Sequence, residues 1–381
     1  MSIDSLFQPL DLGRIRMRNR IAMAPMTRQR STLRGVPTDL NVEHYRQRAS
    51  AGLIITEGTS PSPMGNGYLF APGNYTDEQQ AGWARVADAV HERGGAIFMQ
   101  VMHVGRLSDP LMLDGAQPIA PSAVQPDPTA RHYTVSCPRP KRPYPEPREM
   151  THAEVLSTID EFKACTERAL AAGLDGVELH AASGYLPMQF LSQNTNLRTD
   201  EWGGTLEKRC AFVLACVDAM AEVAGPKFVA VKVAPGWTFH DVFDDDAPAT
   251  YGHLLRELSK RDIAYLQLGN YFVDWDVYGI LRPQFDGPVL YTAGFTRQTG
   301  AEAIESGGAD GIAFGQAFIA NPDLAERYRD GSKLNRPDLA TYYTQGKEGY
   351  TDYPTVAEMT EDTPSQDVDA APTPVGVETT G

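Results

Sequence analysis

The chain lacks most of what would point to a membrane, a nucleic acid or a secreted scaffold. Its 381 residues contain four cysteines, Cys137, Cys165, Cys210 and Cys216, with no CxxC pair and no metal-ligand spacing. The last three fall inside helical patterns and read as buried thiols, so neither a disulfide framework nor a zinc site is expected. No apolar run is long enough to cross a bilayer, and MSIDSLFQPL has no basic segment leading into an apolar one. A cytoplasmic protein is expected. Positive charge is also scarce: 34 basic against 49 acidic residues leave −15. That balance excludes polyanionic partners such as nucleic acid or an anionic membrane surface. Six of the acids (Glu358, Glu361, Asp362, Asp367, Asp369 and Glu378) follow Pro354 with no lysine or arginine among them. Residues 355–381 therefore read as a disordered acidic tail, and 1–354 as a single domain.

What is present is an alternation of short apolar runs and amphipathic stretches, repeated eight times. The runs Ile21–Met26, Leu53–Glu57, Ala96–Gln100, Gly176–His180, Phe228–Val233, Ala264–Leu268, Val289–Thr292 and Gly311–Phe314 read as buried parallel strands. Helical periodicity follows nearly all of them. Thr151 with Glu154 three residues on forms a capping box, and Ala172-Gly173 and Gly307-Gly308 are helix stops. The connection at 269–287 reads as irregular. Such an alternation predicts a (β/α)8 TIM barrel in the α/β class, with an open doubly wound sheet as the alternative. No glycine-rich fingerprint follows the first strand, which weakens the open sheet. Residues 118–147 hold nine prolines between the third strand and its helix, a lid insertion on the face where barrel active sites lie.

The strand ends supply mostly neutral donors: Thr27, Gln100, His103, His180, Ser183 and Tyr185, with Lys232 the one cation. Glu57 has no second carboxylate nearby for paired acid–base work and reads as an ion-pair or capping residue. His103 reads as structural, Met99 and Met102 as packing, and the acidic run 241–246 as a solvated helix start. Neutral donors around a pocket suit a polar cofactor that carries the hard chemistry itself. Gly294 and Gly315 close the seventh and eighth strands, where backbone N–H groups commonly meet a phosphate.

Several runs carry a resemblance: residues 19–28 (NRIAMAPMTR), 100–106 (QVMHVGR), 194–204 (NTNLRTDEWGG), 313–315 (AFG), 318–324 (FIANPDL) and 349–354 (GYTDYP). Together they resemble the Old Yellow Enzyme family in the right order from about Leu6 to Pro354. The resemblance implies FMN as cofactor, NADPH or NADH as reductant, and reduction of an activated C=C bond in an enone-like small molecule. It implies Pro25, Met26, Thr27, Gly58, Gln100, Lys232, Gly294, Phe295, Gly315 and Gln316 as the flavin site. His180 and Ser183 would hold the substrate carbonyl, Tyr185 would give the proton and Tyr343 would line the pocket. Self-association is left open.

The departures are as informative. The family's His-x-x-His or His-x-x-Asn pair is His180-Ala181-Ala182-Ser183 here. Lys232 and Gln316 stand where the family carries arginines, so one fork is lost and one charge is removed. Those losses keep two other readings open: an isomerase or cyclase without working flavin, and a non-catalytic binding barrel.

Overall fold

The computed structural model describes residues 2–127 and 143–370; Cys137, the middle of the proline-rich insertion and residues 371–381 lie outside them. Eight parallel strands close into a barrel. They are β1 Ile21–Met23, β2 Leu53–Ile55, β3 Ile97–Val101, β4 Gly176–Ala181, β5 Val229–Val233, β6 Leu266–Gly269, β7 Val289–Thr292 and β8 Gly311–Phe314. Each pairs with its sequence neighbours, and β8 returns to β1 through Ala313 opposite Ala22. The open-sheet alternative is thereby set aside.

The barrel is wrapped by α1 Asp39–Gln47, α2 Asp77–His91, α3 His152–Ala171, α5 Leu206–Ala224, α6 Ala247–Ser259 and α8 Arg297–Glu305, with α10 Leu324–Asp330 at the end. Short helices α4 Leu186–Leu191, α7 Val277–Leu281 and α9 Gln316–Ala320 fill connections at the strands' C-terminal ends. The expected capping box is in place: Thr151 Oγ1 accepts from the Glu154 N–H, and Glu154 accepts from the Thr151 N–H. Thr76 and Gln79 start α2 the same way.

Strand side chains alternate, and the alternation sorts the core into two layers. Ile21, Ile54, Met99, Val177, Leu179, Val229 and Val231 face the helices. Ala22, Leu53, Ile55, Phe98, Ala230, Leu290 and Ala313 face inward in a separate cluster. Leu12 and Met17, both fully buried, belong to that inner cluster. They come from an antiparallel hairpin, Leu10–Leu12 with Ile15–Met17, which plugs the N-terminal end of the barrel. The sequence reading did not anticipate it. Above this apolar floor the same inward positions turn polar: Gln100, Glu178, Lys232 and Gln267, all buried.

Two expectations need correction. The first strand ends at Met23, not Met26, because Ala24–Thr27 leaves the ladder to form the mouth. The tail is not disordered over its described part. Ser365–Gln366 pairs with Leu334–Asn335, Asp369 bridges Arg297 at 2.7 Å, and Val368 is buried. Acidic composition misled here because the compensating arginine lies 72 residues upstream, at the start of α8. Truncation after Pro354 should therefore lower stability by about 1–3 kcal/mol through the lost ion pair and newly exposed Leu334. Urea unfolding of the two chains checks this; coincident curves would mean that the segment contributes nothing.

Candidate active site

The C-terminal mouth of the barrel is assembled around one sharp turn at the end of β4. Ser183 and Gly184 both have left-handed backbone, with φ of 57° and 73°. They reverse the chain so that Tyr185, the residue before α4, returns over His180, the two rings edge-on at 5.0 Å. A left-handed serine costs on the order of 1 kcal/mol, a position where asparagine sits more easily. His240, from the loop after β5, holds the turn through its Nδ1 to the Ser183 carbonyl at 2.8 Å. The Tyr185 hydroxyl lies 2.6 Å from that of Tyr68, and both rings are buried.

Burial and the neighbouring Lys232 push the His180 pKa well below its usual value, so the ring is neutral at physiological pH. Its Nδ1 is buried without a partner among the described residues. Burial pushes the Tyr185 hydroxyl well above the usual phenol range, helped by Tyr68, so it keeps its proton. Lys232 lies between His180 on β4 and Gln267 on β6 in strand register.

Beneath them lies the polar layer. Glu178 accepts from Gln100 Nε2 at 2.8 Å and from the Tyr265 hydroxyl at 2.9 Å. Turning the Gln267 amide over lets it donate to both oxygens of the same carboxylate, at 3.1 and 2.9 Å. Burial raises the Glu178 pKa to about 7, against the pull of Lys232, Gln100 and Tyr265.

The glycine positions form the other side of the mouth. Ala293 and Gly294 have consecutive positive φ values of 75° and 78°, so the chain turns sharply as it leaves β7. A Cβ at Gly294 would meet nothing within 4 Å, so the backbone there can be approached closely. Gly315 precedes α9, and the first residue of that helix, Gln316, donates to the Tyr342 hydroxyl at 3.4 Å. The Phe295 ring packs with Tyr278 and Tyr291. Pro25, Met26 and Thr27 line the rim half-buried after β1, and Gly58 lies against Met102, whose Sδ a Cβ there would meet at 2.5 Å. Tyr343 stands at the entrance, 52% exposed; burial, with a smaller push from Tyr343, raises the Tyr68 pKa.

Three minor expectations resolve. His103 is buried and accepts from the Gly105 N–H, a structural role. Glu57 accepts from the Arg28 N–H at 3.0 Å and from Asn41, fixing the rim after β1. The acidic run is only partly a solvated helix start: Asp246 caps α6, but Asp244 is buried against Arg209 at 3.0 Å. Sequence reasoning missed Tyr68, Glu178 and His240. Glu178 had a signal, a charge at an inward position of an apolar strand; Tyr68 lies in an irregular loop and had none.

The C-terminal segment carrying Tyr342 and Tyr343 is clasped by arginines. Arg28 donates to the carbonyls of Tyr342 and Gly349, and Arg30 to those of Thr341, Tyr342 and Glu348. Arg48 binds the Phe318 and Ile319 carbonyls, at 2.8 and 2.9 Å.

A closed barrel with neutral donors at its mouth, a buried lysine and glycines at the ends of β7 and β8 suits an enzyme whose chemistry is carried by a cofactor. The comparisons specify which. A model of the NADH:flavin oxidoreductase / NADH oxidase family matches residues 5–335. A relative from Leishmania infantum, described as a probable flavin mononucleotide-dependent alkene reductase, is 40% identical over 93% of this chain and 98% of its own. Morphinone reductase in complex with tetrahydroNAD superposes with a TM-score of 0.87 at 40% identity, covering 92% of this chain and 98% of that one. The Old Yellow Enzyme homologue from Zymomonas mobilis gives 0.89 at 37% identity over 92% and 99%. The chain belongs to the Old Yellow Enzyme family of FMN-dependent oxidoreductases.

The buried carboxylate makes stability depend on pH. Glu178 titrates near 7 when folded and near its ordinary 4.5 when unfolded, so between those values the folded state alone holds the proton. Its contribution is most favourable below about 4.5 and is lost as pH rises through 7. Glu178→Gln has no such loss. Its melting temperature relative to the parent should therefore rise from pH 5 to pH 8; a constant difference would place the titration elsewhere.

Proposed function

We propose that His180, Ser183 and Tyr185 carry the reaction of this enzyme, the transfer of hydride from NAD(P)H through FMN to the activated C=C bond of an enone-like small molecule. The observation that carries the assignment is the Tyr68–Tyr185 hydroxyl pair at 2.6 Å beside a neutral His180 with a buried nitrogen unsatisfied. FMN, when bound, supplies the redox chemistry. Lys232, Gln100, Gly58, Thr27, Met26 and Pro25 would hold its ring system. Gly294, Phe295, Gly315 and Gln316 would hold its phosphate.

The chain's part of the work is polarisation and proton delivery. His180, neutral, donates its single N–H to the substrate carbonyl oxygen, and the Ser183 hydroxyl adds a second bond or a bridged one. This draws electrons toward the oxygen and makes the β-carbon electrophilic. The Tyr185 hydroxyl gives its proton to the α-carbon, and the Tyr68 hydroxyl donates into the phenolate left behind. Tyr343 at the entrance bounds the substrate. We place the enzyme in the cytoplasm, where reduced nicotinamide is at hand and the buried thiols of Cys165, Cys210 and Cys216 stay reduced. The family relationship favours neither the non-catalytic barrel nor the flavin-free one.

Tyr185→Phe should leave flavin bleaching by NADPH nearly unchanged and slow reoxidation by cyclohexenone by about 10²–10⁴. Tyr68→Phe should slow the same half-reaction by a smaller factor. Stopped-flow absorbance separates the two halves; equal slowing of both would make Tyr185 a shaping residue.

The phosphate grip yields a further expectation. Gln316 offers a neutral amide where an arginine would give a charge-assisted fork, a difference of about 1.5–3 kcal/mol. Gln316→Arg should tighten FMN about ten- to a hundredfold at low salt, with the gain shrinking as salt rises. Fluorescence titration of FMN checks it; unchanged affinity would mean that Gln316 does not face the phosphate.

A further inference from the structure

A second concavity lies beside the catalytic mouth, between α4 and the loops after β5 and β6, with a volume of about 540 Å³. None of His180, Tyr185, Lys232 or the glycines after β7 and β8 lines it. Its aromatic wall comes from Trp237, Tyr271, Phe243 and Trp275. Trp237 is stacked between Phe239 at 4.7 Å and Tyr271 at 4.3 Å, with interplanar angles of 9° and 12°. The wall is thus rigid before any ligand arrives. Phe243 is 50% exposed and Phe272, also lining the cavity, 89% exposed, a large apolar exposure for a protein surface.

The polar lining has one sign. Asp244, Asp245 and Asp274 line the cavity, and among the described residues no lysine, arginine or histidine does. Asp244 is neutralised by Arg209 at 3.0 Å, whereas Asp245 and Asp274 are exposed and have no ion-pair partner among the described residues. Tyr251 supplies an independent signal. The residue is 2% exposed and lines the cavity, yet its hydroxyl has no hydrogen-bond partner among the described residues. Buried hydroxyls are nearly always bonded, so an orphan in a cavity wall marks a place where a ligand or its water completes the set.

Aromatic faces attract cations, and open carboxylates add attraction for the same charge while repelling phosphate or carboxylate. We propose that this cavity binds an organic cation with an apolar body, an alkyl- or arylammonium, at a site separate from the flavin mouth. The apolar body lies on the Trp237–Tyr271 wall, the ammonium faces Asp245 and Asp274, and Tyr251 meets a polar atom of the ligand or its water.

The test uses the flavin-loaded protein and intrinsic tryptophan fluorescence, since Trp237 and Trp275 line the cavity. Three probes share one body: benzyltrimethylammonium, benzyl alcohol and phenylmethanesulfonate. The cation should quench saturably with a dissociation constant of about 0.1–1 mM, roughly tenfold below the alcohol. The sulfonate should not bind. Asp245→Asn and Asp274→Asn should each weaken the cation about two- to fivefold and leave the alcohol unchanged. These are surface substitutions, so folding is not at stake. Equal affinity for the three probes, no saturable quenching by the cation, or cation affinity indifferent to both asparagine variants would each overturn the proposal.

Discussion

The arrangement of the whole mouth depends on placing one carboxylate inside a barrel. Glu178 sits one layer above a fully apolar floor, and a bare carboxylate there is far too costly to leave unpaired. Its neighbours answer that cost: Gln100, Tyr265 and Gln267 aim donors at it, and Lys232 brings the compensating charge. Those same strands, β3 to β6, deliver His180 and Lys232 one step higher. The acid thus gathers the donors of the layer beneath the turn at Ser183 and Gly184. A compact ammonium suits that place, since it serves the carboxylate below and the mouth above and needs no planar fork to do so.

Much of this was legible in the residues. Val289–Thr292 and Gly311–Phe314 were bounded as found, because each is a short apolar run between turn residues. Strand β1 was read too long, since Ala24, Pro25 and Met26 continue an apolar pattern that the ladder itself does not follow. The N-terminal hairpin escaped notice because its strands are three residues long and only its buried pair, Leu12 and Met17, marks it. The tail was misread for a different reason. Composition describes a segment alone, while Asp369 and Gln366 are ordered by Arg297 and Leu334, far away in sequence.

The site divides along the same line. His180, Ser183 and Tyr185 follow one another along a single turn, so a local motif captures them. Tyr68 and Tyr185 are 117 residues apart and meet only once the barrel has closed. No spacing rule could join them. Trp237 and Tyr271 come from successive loops and become a stack only because β5 and β6 are adjacent in the barrel.

The arginine clasp has a consequence for the life of the chain before it is finished. Arg28 and Arg30 come from the rim after the first strand, yet their carbonyl partners lie more than 300 residues later; Arg28 and Gly349 are 321 positions apart. At ribosomal speeds of about 5–20 residues per second, these cations wait on the order of 16–64 seconds for their acceptors to emerge. During that interval the guanidinium groups are free, and the Tyr350 ring that will lie 5.3 Å from Arg28 does not yet exist. Nascent chains with most of the barrel already synthesised would therefore still have an unroofed mouth. Completion of the pocket becomes a late event in translation, which keeps a half-made oxidoreductase from presenting a finished site.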